Sequence, residues 1–175
     1  MLTYREMYMD EAIKIGEIDA SYFIENVWKK NEEGKYILQK IDWVNEMLPY
    51  GMPWHYDRFR NTILNGGKAF GCFDGRQLVG FATVNAKIFG KNEKYVLLDQ
   101  LFISAKRRNL GIGNELMKLC KEAAIEFGAE KLYLCAWSSE ATIAFYKKQG
   151  CTEPAEINEE LYNEDRNNVQ LELKL

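Results

Sequence analysis

The sequence predicts an α/β (α+β) domain with a mixed, mostly antiparallel central sheet flanked by helices. Three observations carry that expectation. "KAFGCF", the tight turn "DGR" and "QLVGFATV" form a β-hairpin pattern. "YVLLDQLFI", a helical stretch and "KLYLCAW" form a strand–helix–strand unit, which implies one parallel pair in the sheet. "VQLELKL" alternates as a closing strand should. With 175 residues and no linker or repeat, residues 1–175 are expected to make one domain.

The elements follow in chain order. "LTYREM" reads as an edge strand, and a helical stretch is expected from Asp10 to about Trp28. "GKYILQKI" reads as a strand, followed by the aromatic-rich "WVNEMLPYGMPW", which Pro49, Gly51 and Pro53 break. "HYDRFRNTILN" is helical and stops at Gly66-Gly67. After the hairpin, "YVLLDQLFI" is apolar on both faces apart from Asp99 and Gln100, as in a central strand. A helix begins near Gly113, with Ile112, Leu116, Leu119, Ala123 and Phe127 at helical spacing and Gly128 as its C-terminal cap. Ser138 or Ser139 caps a last helix through "EATIAFYKKQ", which ends at Gly150.

Composition excludes several function classes. The chain is 47% hydrophobic and 28% charged without a long block of one sign, so wholesale disorder is not expected. A net charge of −3 speaks against a dedicated nucleic-acid binder. No apolar run approaches the ~20 residues of a membrane span. "MLTYREMYMDEA" lacks the basic-then-apolar order of a secretory signal, so a cytoplasmic protein, a monomer or homodimer, is expected. The four cysteines show no C-x-x-C spacing and His55 is the only histidine, so no metal site is expected. The cysteines read instead as small buried hydrophobes.

Chemistry concentrates in "DQLFISAKRRNLGIGNEL", residues 99–116. A strand leads into a glycine-containing turn and then a helix, whose first amides have no intrahelical partner and attract anions. Gly111 and Gly113 let a diphosphate approach the backbone. Lys106, Arg107 and Arg108 add positive charge, and arginine can grip two phosphate oxygens at once. The dinucleotide fingerprint fails because Leu116 stands where its third glycine belongs. The P-loop fails because Asn114 and Glu115 replace Lys-Ser/Thr.

What remains, Arg108-x-x-Gly111-x-Gly113 between strand and helix, resembles the GNAT superfamily of acyl-CoA-dependent N-acyltransferases. The later "KLYLCAW" and "SSEATIAFYKKQGC", with Tyr146 and Gly150, strengthen the match over about residues 66–151. It is fair for the closing strand and thin over the first 60 residues. The resemblance implies acetyl-CoA as cosubstrate, with splayed central strands that leave amides near Phe102 and Ile103 for the thioester and pantetheine. It places the pyrophosphate on Arg108, Asn109, Leu110, Gly111, Ile112 and Gly113, and makes Tyr146 the proton donor to the departing sulfur. Ser139 stands where many members carry a pantetheine-binding asparagine, and Gly150-Cys151 stands where many carry Gly-Phe. Some members place a catalytic carboxylate on the strand that holds Asp99.

Period-two counting sets Asp99 on the face of Leu97, Leu101 and Ile103, with Gln100 on the other. Burial there would favour Asp99 as proton acceptor for the amine, and a structural carboxylate is the competing reading. The resemblance puts the acceptor pocket at the first helical region and the loop before the last strand. There Glu156, Glu159, Glu160, Glu164 and Asp165 meet an aromatic-rich region with Tyr22, Phe23, Trp28, Tyr36, Trp43, Tyr50 and Trp54. Carboxylates beside aromatic rings suit a small cationic amine. An acetyltransferase for a peptide or protein amine, or a non-catalytic acyl-CoA-binding module, are the alternatives.

Overall fold

The computed structural model describes residues 1–175. The chain opens with β1 (Leu2–Met7), a 3-10 helix (Met9–Glu17), and the strands β2 (Tyr22–Lys30) and β3 (Tyr36–Asn45). Next come α1 (Met52–Leu64), the hairpin β4 (Lys68–Asp74) and β5 (Gln77–Val84), then β6 (Tyr95–Ile103). A short 3-10 turn (Ala105–Arg107) leads to α2 (Ile112–Glu126), β7 (Lys131–Ala136) and α3 (Glu140–Lys148). The chain closes with α4 (Glu159–Glu164) and β8 (Val169–Lys174).

Six strands form one sheet in the order β1-β4-β5-β6-β7-β8. Only β6 and β7 run parallel; every other neighbouring pair is antiparallel. The strand–helix–strand unit forces that exception, because a parallel strand must return by a crossover, here α2. One face of the sheet packs on α2 and α3 through Leu116, Met117, Cys120, Ile143 and Tyr146. On the other face α1 and the first 3-10 helix bury Phe59, Ile15 and Ala12 against Phe81, Phe73 and Leu78.

Two features differ from the sequence expectation. No helix runs from Asp10 to Trp28: a 3-10 helix ends at Glu17 and β2 begins at Tyr22. Ser21 N–H donates to the Asp19 carboxylate at 3.0 Å, a local turn that breaks the helical path. Beyond it "YFIENVW" is rich in β-branched and aromatic residues and pairs along its length with β3. The "loop" before the last strand contains α4, whose N-cap Asn158 accepts from Leu161 N–H at 3.0 Å.

The β2–β3 hairpin forms a second, two-stranded sheet. It is tied to the main body where Trp28 N–H donates to the Ser138 carbonyl at 2.7 Å, just past the end of β7. This hairpin therefore walls the mouth of the β6–β7 junction, where the site lies.

Candidate active site

Strands β6 and β7 pair only from Tyr95 to Leu98 against Lys131 to Leu134. Beyond that point they diverge, so the edge of β6 from Asp99 to Ile103 that faces β7 has no partner strand. The splay opens a cleft of about 720 Å³ bordered by Phe102, Ile103, Trp137, Phe145 and Tyr146. The cause is local. The β5–β6 register jumps from Thr83↔Gln100 to Val84↔Leu98, so Asp99 is the extra residue of a β-bulge.

The bulge overturns the period-two count. Leu97 packs with Tyr95 and Tyr133, whereas Leu101 and Ile103 lie against the α2 side of the core. Asp99 and Gln100 both reach toward α1, because an extra residue resets the alternation. Asp99 does not face an apolar surround. Arg58 Nε lies 3.0 Å from each of its carboxylate oxygens, and Arg58 Nη2 bonds Oδ1. The same guanidinium donates from Nη1 to Glu164 Oε2 at 3.1 Å and lies 4.5 Å over the Trp54 ring. Those carboxylates hold the Arg58 pKa above the ordinary arginine value despite burial. Sequence reading missed Arg58. Its only signal was a charge three residues after His55 and next to Phe59, on the buried face of α1.

His55 is buried beneath the same strand, its Nδ1 2.8 Å from the Gln100 carboxamide and its Nε2 2.7 Å from the Pro49 carbonyl. Burial lowers its pKa below the ordinary histidine value, so the ring is neutral at pH 7. A carbonyl only accepts, and the Gln100 atom facing Nδ1 is its Oε1, so the neutral ring gives its single proton to one of these two oxygens. His55 thereby fastens Pro49, at the mouth of the cleft, to β6.

The turn before α2 has the form of an anion cradle. Gly111 has φ +81°, and a Cβ there would meet nothing within 4 Å, so the surface is open and the backbone favours glycine. The amides of Asn109, Leu110 and Gly111 donate to no protein acceptor, and those of Ile112 and Gly113 begin the helix. Asn109, with φ +63°, Gly111, Ile112 and Gly113 border the cleft; Leu110 is exposed and lies outside its lining. Arg108 borders the cleft too, but its guanidinium is engaged. Nε donates to Ile103 O at 3.2 Å, Nη1 to Ser21 O at 2.9 Å, and the group lies 4.9 Å over Tyr22. It straps the turn to β6 and to the start of β2. Arg107 is paired with Asp74.

Tyr146 stands on α3 with its side chain in the core and at the cleft. Burial raises its pKa well above the ordinary tyrosine value, so the phenol stays neutral and is a hydrogen-bond donor at every working pH. Ser139 is the α3 N-cap: Oγ accepts from Thr142 N–H at 3.3 Å and donates to Thr142 Oγ1 at 2.8 Å. It is buried under β2 and does not border the cleft.

A second cavity, of about 1010 Å³, adjoins the first; both are bordered by Asn45, Pro49 and Trp137. Its walls are the β2–β3 hairpin, the turn before α1, and the segment after α4. Trp43 stacks on Trp137 at 5.9 Å, and Trp28, Tyr36, Tyr50 and Tyr162 complete the aromatic lining. Of the acidic residues expected here, only Asp165 borders the cavity, where it accepts from the Tyr50 hydroxyl. Glu156 is taken up by the Lys91 and Asn92 amides at 2.7 and 2.6 Å, and Glu164 by Arg58.

A sheet splayed beside a glycine-opened helix, with a neutral tyrosine at the gap, defines a cleft that offers unpaired backbone amides to an anionic ligand. Residues 35–151 match the model of the acetyltransferase (GNAT) family. The chain belongs to that family and is an acetyltransferase that uses acetyl-CoA.

Solved structures agree on the fold. A nourseothricin acetyltransferase is 19% identical, with 99% of this chain and 98% of that chain covered and a TM-score of 0.73. A putative streptothricin acetyltransferase from Bacillus anthracis str. Ames, solved with acetyl coenzyme A, is also 19% identical (100% and 99% covered, TM-score 0.72). A chain of the NatC complex bound to Gag peptide and CoA is 14% identical (99% and 98% covered, TM-score 0.63).

Proposed function

We propose that the acetyl acceptor is the amine of a small cationic molecule. One observation carries this reading: the aromatic cavity that meets the acetyl-CoA cleft at Asn45, Pro49 and Trp137. Trp43 and Trp137 offer ring faces to a cation, and Asp165 and Glu46 supply negative charge on a wall that also carries Lys29, Lys30 and Arg166. Lys30 lies 5.2 Å over Tyr36 and Arg166 5.8 Å over Tyr162, which leaves the stacked Trp43 and Trp137 as the rings for a substrate cation.

An aliphatic amine, with a pKa near ~10, must lose a proton before it attacks the thioester. In this reading Asp99, the only carboxylate on the cleft wall, takes that proton. Arg58 keeps Glu164 as its second partner when Asp99 is neutralised. Tyr146 donates to the departing sulfur, and the amides of residues 109–113, with the turn held by Arg108, receive the pyrophosphate.

The test is CoA thiol release from acetyl-CoA across polyamines, amino sugars, amino acids and peptides. Cationic small amines should turn over fastest; faster reaction of neutral or acidic amines refutes the class. Tyr146→Phe should lower kcat by about 10-fold or more with acetyl-CoA affinity unchanged. A peptide acceptor has one observation in its favour. The outer edge of β3 is unpaired beside the cavity, with Ile37, Leu38 and Val44 exposed, and an extended peptide could add there. The peptide arm of the panel decides between the two.

A further inference from the structure

Asn45 closes β3 at the saddle between the two cavities and is only 4% exposed. Its Nδ2 lies 3.1 Å from Ala20 O and 2.7 Å from Met47 O. Both partners are carbonyl oxygens, which only accept, so the carboxamide has one possible orientation, with nitrogen toward the backbone. Both of its N–H bonds are then used, and Oδ1 is fixed on the opposite branch. Oδ1 receives no protein donor. The fully buried side-chain atoms without a partner are Thr83 Oγ1 and Gln100 Nε2; Asn45 Oδ1 is not among them and so keeps some exposure, and Asn45 lines both cavities. The molecule thus holds a buried residue whose one free polar atom is a rigid acceptor, at the place where acceptor cavity and acetyl-CoA cleft meet.

We infer that Asn45 is a positioning and specificity-determining residue: Oδ1 accepts an N–H of the incoming amine and turns its lone pair toward the thioester. This rests on the amine-acceptor reading above. The amine arrives with more than one N–H. One proton leaves to the proton acceptor, a second stays bonded to Oδ1, and the nitrogen lone pair is left for the carbonyl carbon. The backbone clamp matters because an acceptor held in one orientation loses little freedom when the substrate binds. Oxygen and thiol nucleophiles keep no N–H after losing their proton, so Oδ1 selects nitrogen.

The experiment compares the native protein with Asn45→Ala and Asn45→Asp, using the best amine of the panel as substrate. Three quantities are read: KM and kcat for the amine, acetyl-CoA affinity, and the slow hydrolysis of acetyl-CoA with no amine present. Asn45→Ala removes the acceptor and the clamp; Asn45→Asp keeps an oxygen acceptor and removes the clamp. A neutral hydrogen bond of ordinary strength corresponds to about a 3- to 10-fold rise in amine KM.

That rise is expected in Asn45→Ala, and a smaller one in Asn45→Asp, which keeps an oxygen acceptor but not its clamp. An equal rise in both variants, or a parallel fall in amine-free hydrolysis, would mean that Asn45 only supports the fold, and overturns the inference. Should Asn45→Ala not fold, the alcohol and methyl analogues of the amine are compared as inhibitors of native protein. Equal inhibition by the two overturns the inference, and a 3- to 10-fold preference for the alcohol that shrinks in Asn45→Gln sustains it. A native protein that releases no thiol with any amine removes the amine-acceptor reading and this inference together. Turnover with unchanged KM in Asn45→Ala removes this inference alone.

Discussion

Arg58→Met removes one guanidinium and leaves Asp99 in place. The Asp99 side chain is 6% exposed and that of Arg58 24%, so the pair sits largely out of water. Removing one partner of such a pair leaves a charge without compensation and costs about 3–5 kcal/mol. Loss of the cation–π contact on Trp54 adds about 0.5–1 kcal/mol. The Glu164 contact adds less than about 1 kcal/mol, because that carboxylate is half exposed and water replaces the bond.

The sum is about 3.5–7 kcal/mol, which in a domain of this size lowers Tm by about 7–28 °C. Urea unfolding followed by circular dichroism measures it. Adding Asp99→Leu in the Arg58→Met background should return most of the loss, because the stranded charge is gone. A single-variant cost below about 1 kcal/mol, or no recovery in the double variant, would show that Asp99 is well solvated without Arg58 and would refute the reasoning.

Three further outcomes follow from particular contacts. In Gly113→Ala the new Cβ meets two ring atoms of Phe145 at 3.0 Å and Ile103 Cδ1 at 3.1 Å. Overpacking outweighs the helix-propensity gain of alanine, so a net loss of about 1–2 kcal/mol and weaker acetyl-CoA binding are expected, both relieved by adding Phe145→Leu. An acetyl-CoA titration with unchanged affinity would count against the cleft geometry. Arg108→Ala should weaken acetyl-CoA binding by about 10-fold by releasing the turn, and Arg108→Lys should not restore it, since one ammonium cannot span Ile103 O and Ser21 O as the planar fork does. Rescue by lysine in the same titration would show that charge alone matters.

The last outcome concerns pH. His55 is neutral and buried, with its pKa lowered by burial, so the unfolded chain binds the proton more readily than the folded one. Its stabilising share is intact above the unfolded value of about 6.5 and is lost as pH falls below it toward the lowered folded value. Denaturation midpoints at pH 7.5 and 5.5 should differ less in His55→Gln than in the native protein; an equal drop would remove His55 as the cause.

Most of the fold was legible because it is written in local terms. The β4–β5 hairpin has its turn residues, α2 its apolar spacing and Gly128 stop, and β6 its run of apolar side chains. Each is decided by neighbours a few residues away. The cradle was legible for the same reason, since Gly111 and Gly113 lie in one turn. The first fifty residues were not: "YFIENVW" has enough apolar recurrence for a helix, and only pairing with "YILQKIDWVN" makes it β2.

The site beyond the cradle was settled by distance in space. The bulge at Asp99 exists because β5 and β6 differ by one residue in register, which no residue of β6 announces. Arg58 reaches Asp99 across 41 residues of chain and Glu164 across 106. Asn45 reads as a polar residue before a turn until two carbonyls, 25 and 2 residues away, fix its orientation. Sequence by itself pointed to acetyl-CoA through the family resemblance, because Arg108, Gly111, Gly113, Tyr146 and Gly150 lie in short contiguous segments. The walls of the second cavity and the partners of Asp99 were decided only by the tertiary structure, because charge compensation and hydrogen-bond direction depend on residues that meet only when the sheet, α1 and the β2–β3 hairpin close on one another.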